Sequence, residues 1–151
     1  MSKLIAEKLT PEAYEKYGSV ICYSDSFPSI PANQGTAKRF NHLSPLINLR
    51  EDAKANVCLF RCKPTEQVNP FQLKLVERHF FSTQIFVPMN AESYLVIVCL
   101  NDPKKDLPDL STLKAFLATD TQSISYHPGV WHHPLIALNK ETGFFSPISS
   151  P

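Results

Sequence analysis

The stretch ERHFFSTQIFVPM, Glu77–Met89, puts an acid, an imidazole and a lone amide around two phenylalanines and then runs into apolar residues. Glu77 and His79 are two apart, so a strand would send both side chains to one face. Outward from this stretch the same texture continues. Short apolar runs recur ("SVICY", "NVCLFRC", "LKLVERH", "TQIFVPM", "YLVIVCL", "LKAFLAT" and "SISYHPGVWHHPLIAL"), separated by turn-forming clusters such as "SFPSIPANQG", "KPTEQVNP" and "NDPKKDLPD". Most of the 13 prolines fall in these connections. Many short strands between turn signals predict a mainly β fold, a small barrel or sandwich.

Helical periodicity is poor except near the start. Thr10, Pro11 and Glu12 read as N-cap, first-turn proline and first-turn acid of a short N-terminal helix through Tyr17, closed by Gly18. "DLSTLKAFLA" could begin a helix at Asp109 or Ser111, but its neighbours favour a strand from Leu113. No repeat and no boundary interrupts the chain, which predicts one domain over residues 1–151.

Composition excludes several classes. At 43% hydrophobic, 19% charged and net charge +1, the chain has no basic footprint for nucleic acid. "YLVIVCL" is too short to span a bilayer, and the opening segment lacks the apolar centre of a signal peptide. A cytoplasmic protein with no membrane partner is expected. Cys22, Cys58, Cys62 and Cys99 include no CxxC pair, so they read as small packing residues rather than a zinc site.

Two spacings carry chemistry. Small cupin barrels share a motif of His-x-His followed three or four residues later by Glu, and a second of Pro-x-Gly followed two residues later by His. "ERHFFSTQ" is similar to the first, with Glu77, His79 and Gln84 in its three places. "YHPGVWHHP" is a looser form of the second, ending on His132. Four polar side chains would then converge in an apolar mouth. Two imidazoles and a carboxylate could hold a divalent metal with open positions, Gln84 being a weak fourth ligand. The plain alternative makes Glu77 a surface acid and His79 a half-buried imidazole. His132 and His133 are adjacent, so one of them alone can face inward. His42 and His127 read as turn or surface residues and Trp131 as core.

Longer phrases sharpen the likeness. "ANQGTAKRF", "LFRC", "ERH…STQIFVPM", "YLVIVC", "PDLSTLKAF" and "PGVWHHPL", in that order, resemble the ureidoglycolate lyase family of allantoin degradation, over about residues 1 to 140. That resemblance implies a cupin-like fold, a homodimer, a divalent ion (nickel) and elimination of urea from ureidoglycolate to leave glyoxylate. In that reaction the candidates are Glu77, His79 and His132 at the reacting centre, with Glu77 or His132 as general base, and Gln84 beside them. The substrate carboxylate needs a cation. Arg61 has first claim because it sits inside an apolar strand, with Arg39 and Lys114 behind it. Lys114 stands where the family has Arg, which keeps the charge but loses the two-pronged fork. Thr83 and Ser111 could donate to the ureido group. A non-catalytic module binding a small carboxylic acid is the alternative, and a metal-dependent sugar or keto-acid enzyme of the same fold a third class. From about residue 141 the chain departs from the family. Pro147 is expected to interrupt a closing strand, and "SPISSP" to leave the fold truncated and weakened.

Overall fold

The computed structural model describes residues 4–65 and 72–150. Its strands are β1 (Ala6–Lys8), β2 (Val20–Ile21), β3 (Ile30–Ala32), β4 (Ala37–Arg39), β5 (Lys54–Cys62) and β6 (Gln84–Pro88). They continue with β7 (Ser93–Asp102), β8 (Leu107–Thr119), β9 (Ser123–Tyr126), β10 (Trp131–His132), β11 (Ile136–Leu138) and β12 (Thr142–Ser150). The one α-helix among the described residues is α1, Pro11–Tyr14. One sheet runs β1-β8-β7-β10, with β11 also on β7; the second runs β2-β9-β6-β12-β5; β3 and β4 form a separate hairpin. The expected mainly β fold therefore takes its sandwich form, with the sheets left open.

β7 explains the unbroken apolar run. Tyr94, Val96 and Val98 face the second sheet, packing with Phe116 and Ala118 of β8 and with Phe86, Ile124, Tyr126 and Phe144 opposite. Leu95 and Ile97 face the other way and cluster with Ala115, Ile136 and Leu138 of the neighbouring strands, with Leu4, Leu73 and Leu113 packed against them. A strand buried on both faces needs no polar alternation. "LKAFLAT" is strand, as expected, within a β8 that starts earlier, at Leu107.

The start of the chain is tied to β9. Thr10 Oγ1 accepts from the Ala13 amide at 3.2 Å, and Pro11 occupies the first turn. The helix is shorter than expected: it ends at Tyr14, whose carbonyl already accepts from Gly18 at 3.2 Å. The Tyr14 hydroxyl donates to the Ser125 carbonyl at 2.8 Å. Gly18 passes so close to β9 that a Cβ there would lie 1.8 Å from the Ser125 oxygen.

Two expectations are corrected. "LKLVERH" is not a strand. Within it Glu77 alone makes a bridge, to His132. Its partner β10 is two residues long, bounded by the Pro128-Gly129 turn and by Pro134, so no ladder can extend. The chain's end does form a strand: β12 pairs with β5 from Thr142↔Cys62 to Ser150↔Lys54, straight through Pro147. The reason is one of direction. The Gly143 carbonyl points to the β6 side, where it accepts from Met89, so by alternation the missing N–H of Pro147 also points that way. The ladder to β6 is confined to Phe144 and Phe145, and no bond is lost. The "KPTEQVNP" turn falls partly outside the described residues.

The glycines give a direct test. Gly18→Ala should cost about 3 kcal/mol or more, because backbone must move. At Gly143 the nearest atoms to an added Cβ are 3.7 Å away, and Gly143→Ala should change the thermal midpoint little. Equal midpoints for the two variants would contradict this packing.

Candidate active site

At one open end of the sandwich both sheets line a cavity of about 210 Å³. His132 reaches it from β10. Its backbone neighbour is Val98 on one side, and on the other Glu77, with reciprocal N–H to carbonyl bonds of 2.8 Å each way. The turn that delivers it runs from His127 to Val130, closed by the Val130 amide on the His127 carbonyl at 3.1 Å. Gly129 holds φ +83 at its third position, a conformation suited to glycine after proline. The Gly129 amide also donates to the His79 carbonyl at 2.7 Å, which draws the Glu77–His79 segment over the mouth. Gln84 and Tyr126, directly opposite each other in the β6–β9 ladder, form the facing wall, with Phe60, Cys62, Phe86 and Phe144 around them.

The ligating atoms of Glu77, His79 and His132 all lie within 4.8 Å of one another. His132 Nε2 is 3.8 Å from a Glu77 carboxylate oxygen, and the two imidazoles stack with centroids 5.6 Å apart. His132 Nδ1 is 3.0 Å from the Val130 carbonyl. A carbonyl can only accept, so Nδ1 carries the proton and Nε2 presents a lone pair to the cavity. Burial is the main reason its pKa is pushed down to about 4; the Val130 bond opposes this, and the imidazoles of His79 and His133 add to it. His132 is thus neutral at pH 7. Burial also raises the Cys62 thiol and the Tyr126 phenol, so both stay protonated. Gln84 Oε1 and the Tyr126 hydroxyl are buried with no hydrogen-bond partner among the described residues.

This donor set fits a divalent transition ion. It supplies one carboxylate and two imidazoles, one of them locked in the ligating tautomer by a backbone carbonyl. Gln84, on the facing wall, would be a fourth ligand through its amide oxygen.

The remaining sequence candidates lie elsewhere. Arg61 sits between Phe60 and Cys62, which both line the cavity, so alternation turns it to the far face of β5. There its Nε meets Glu141. Lys114 pairs with Glu7 at 3.5 Å. Ser111 donates to Asp109 at 2.6 Å. Thr83 is buried, with its Oγ1 accepting from the Ile47 amide at 3.0 Å. Arg39 is exposed on the β3–β4 hairpin. None lines this cavity. His133, beside His132, takes no part in it either; its Nδ1 is 2.7 Å from the Pro134 carbonyl. Sequence reading passed over Tyr126 and Cys62, and also Arg50. The last, with Arg78, His79 and Gln84, lines an adjoining hollow of about 380 Å³. Its guanidinium lies 5.5 Å over the Phe81 ring and 3.5 Å from Asp52.

The profile of the ureidoglycolate lyase family matches residues 1–147. A ureidoglycolate lyase from Pseudomonas syringae pv. syringae (strain B728a) is 33% identical over 144 residues, covering 95% of this chain and 81% of that protein. The chain belongs to the ureidoglycolate lyase family. A second member, the ureidoglycolate lyase of Escherichia coli (strain SMS-3-5 / SECEC), is 37% identical over 144 residues, covering 95% of this chain and 86% of its own.

The depressed His132 pKa predicts a pH effect in metal-free protein. The unfolded imidazole titrates near 6.5 and the folded one near 4, so between those values the unfolded state binds more protons. Stability should fall as pH drops through that window, by about 3 kcal/mol in all from this group. His132→Phe should remove this part of the slope in denaturant melts at pH 7 and pH 4. An unchanged slope would show that His132 is not buried as described.

Proposed function

We propose that this chain is a ureidoglycolate lyase, eliminating urea from ureidoglycolate to leave glyoxylate. The observation that carries the reading is the convergence of Glu77, His79 and His132 beside a buried, unpartnered Gln84 oxygen, in a chain of this family. The α-carbon of the substrate bears a carboxylate, a hydroxyl and a ureido nitrogen. Cleavage removes the hydroxyl proton, breaks the C–N bond and returns a proton to nitrogen. No water is consumed.

Glu77, half-exposed at the mouth, takes the hydroxyl proton; such a transfer contributes typically about 10²–10⁴-fold. His79 and His132, the latter through its Nε2 lone pair, face the oxygen end of the substrate as ligands for an ion, with one Glu77 oxygen beside them. A divalent ion held by Glu77, His79 and His132 would lower the pKa of the hydroxyl and polarise the forming carbonyl. Arg50, in the adjoining hollow, offers a planar grip for the carboxylate. Phe60, Phe86 and Phe144 keep bulk water from the breaking bond.

The reading carries further parts that rest on the family resemblance: nickel as the ion, a homodimer, a cytoplasmic location and a place in allantoin breakdown. A single domain over the chain is supported by the two ends, since β1 is laced into one sheet and β12 into the other.

Purified protein should release glyoxylate from ureidoglycolate, and a chelator should abolish release until a divalent ion is restored. His132→Ala should lower kcat/KM by at least about 10²-fold, whereas His133→Ala should stay within a few-fold of wild type. Substrate binding without glyoxylate release would instead make the chain a non-catalytic binding module. Equal effects of the two histidine variants would place the chemistry elsewhere.

A further inference from the structure

The two unpartnered oxygens on the cavity's facing wall differ in kind. Gln84 Oε1 can only accept; the Tyr126 hydroxyl can donate. They belong to residues paired directly across the β6–β9 ladder, so both side chains leave the same face of the sheet. The Tyr126 ring is fixed by its neighbours: it stacks on His132 at 3.9 Å and 8°, and meets Phe86 edge-on at 5.9 Å. None of these contacts uses the hydroxyl.

The core's other tyrosines behave differently. Tyr14 donates to Ser125 and Tyr17 to Thr112, at 2.8 and 2.6 Å, and Tyr94 donates to the Gln122 carbonyl. Burying a phenol oxygen without a partner is unfavourable, and phenylalanine would pack the same ring without that cost. The fold therefore gives no reason for this hydroxyl, nor for the neighbouring amide oxygen. Both residues line the cavity.

We propose that Gln84 and Tyr126 form the recognition pair for the ureido group of the substrate, Gln84 Oε1 accepting a ureido N–H and the Tyr126 hydroxyl donating to the ureido carbonyl oxygen. A urea edge offers a donor beside an acceptor, and the wall offers the complement. The proposal rests on the lyase reading and assigns Gln84 to the substrate rather than to the ion. It also gives Tyr126 a part in the chemistry. When the C–N bond breaks, its electron pair passes to the ureido nitrogen and is shared with the carbonyl oxygen, where the phenol's hydrogen bond strengthens. The phenol keeps its own proton. The nitrogen takes up the proton that Glu77 removed from the hydroxyl, so the balance closes with no other reactant.

The test separates the two ends of the substrate. Oxalurate carries the ureido group and the carboxylate; glycolate carries the hydroxyl and the carboxylate alone. Binding of each to the metal-loaded protein is measured by calorimetry, beside glyoxylate release and the thermal midpoint. Tyr126→Phe and Gln84→Leu should each weaken oxalurate about tenfold and leave glycolate unchanged. Tyr126→Phe should lower kcat about 10²-fold with an equal or higher midpoint, since only an unpartnered oxygen is removed. Equal weakening of both ligands would overturn the proposal in favour of an effect through His132 or the ion. A midpoint several degrees lower would also overturn it, by revealing a structural partner for the hydroxyl. Wild-type protein that releases no glyoxylate would defeat the lyase reading and this inference together. Active wild type with an equally active Tyr126→Phe would defeat this inference alone.

Discussion

The reciprocal 2.8 Å bonds between the backbones of Glu77 and His132 bring the three ionisable groups at the open end of the sandwich together. β10 is two residues long, with β7 on one side and this single bridge on the other. Strand side chains alternate, so its register determines which imidazole enters the cavity. A slip by one residue would bring His133 inward and carry His132 out. It would also separate Glu77 from the ring nitrogen it faces. Register here is protected from both ends: Gly129 fixes the approach, and the His133 amide continues onto Ile97 at 2.9 Å.

Given that register, the chemistry follows from unequal burial. His132 is enclosed and neutral, with its proton committed to the Val130 carbonyl. Glu77 and His79 stand exposed at the mouth, where a charged ligand would bind without the whole cluster being desolvated. A cavity that was polar throughout would solvate both ends of a small polar substrate alike. One that was apolar throughout could not orient them. The arrangement here places the acid at the rim, a buried neutral imidazole behind it and Gln84 and Tyr126 on an otherwise largely apolar wall, so that direction is built into the pocket.

Much of this was legible in the sequence, and the failures share a cause. "YLVIVCL" announced a buried strand, and the spacing of Glu77, His79 and Gln84 announced a shared pocket, because both signals are local. The choice between His132 and His133 was legible only as an alternative, since it depends on which edges β10 pairs. Arg61 misled because a charge inside an apolar run suggested a pocket. Strand alternation with Phe60 and Cys62 turns it outward to Glu141. Pro147 misled in the opposite sense: a missing donor matters only on a side where a partner strand runs. Tyr126 left no signal at all. Its ring reads as core, and only the fate of its hydroxyl, a matter of three-dimensional satisfaction, marks it out.

The Glu77–His79 segment has no ladder beyond its one bridge, yet it holds two of the three converging side chains in place. The residue between them does this. The Arg78 guanidinium lies between the rings of Phe80 and Trp131, 4.1 and 4.3 Å from their centroids. It donates both terminal nitrogens to Asp106 at 2.9 Å and one of them to Asn101 at 2.8 Å. Asn101 in turn accepts from the Trp131 indole at 3.0 Å. Asp106, whose pKa is lowered chiefly by its hydrogen bond to Arg78, sits in the turn between β7 and β8. A planar cation held on both faces and gripped along its edge has little freedom left. The clamp joins the segment carrying Glu77 and His79 to the residue beside His132 and to the longest hairpin of the sandwich. Lysine at position 78 would keep the charge but could neither stack nor fork, so the site's rigidity depends on a side chain that never enters its cavity.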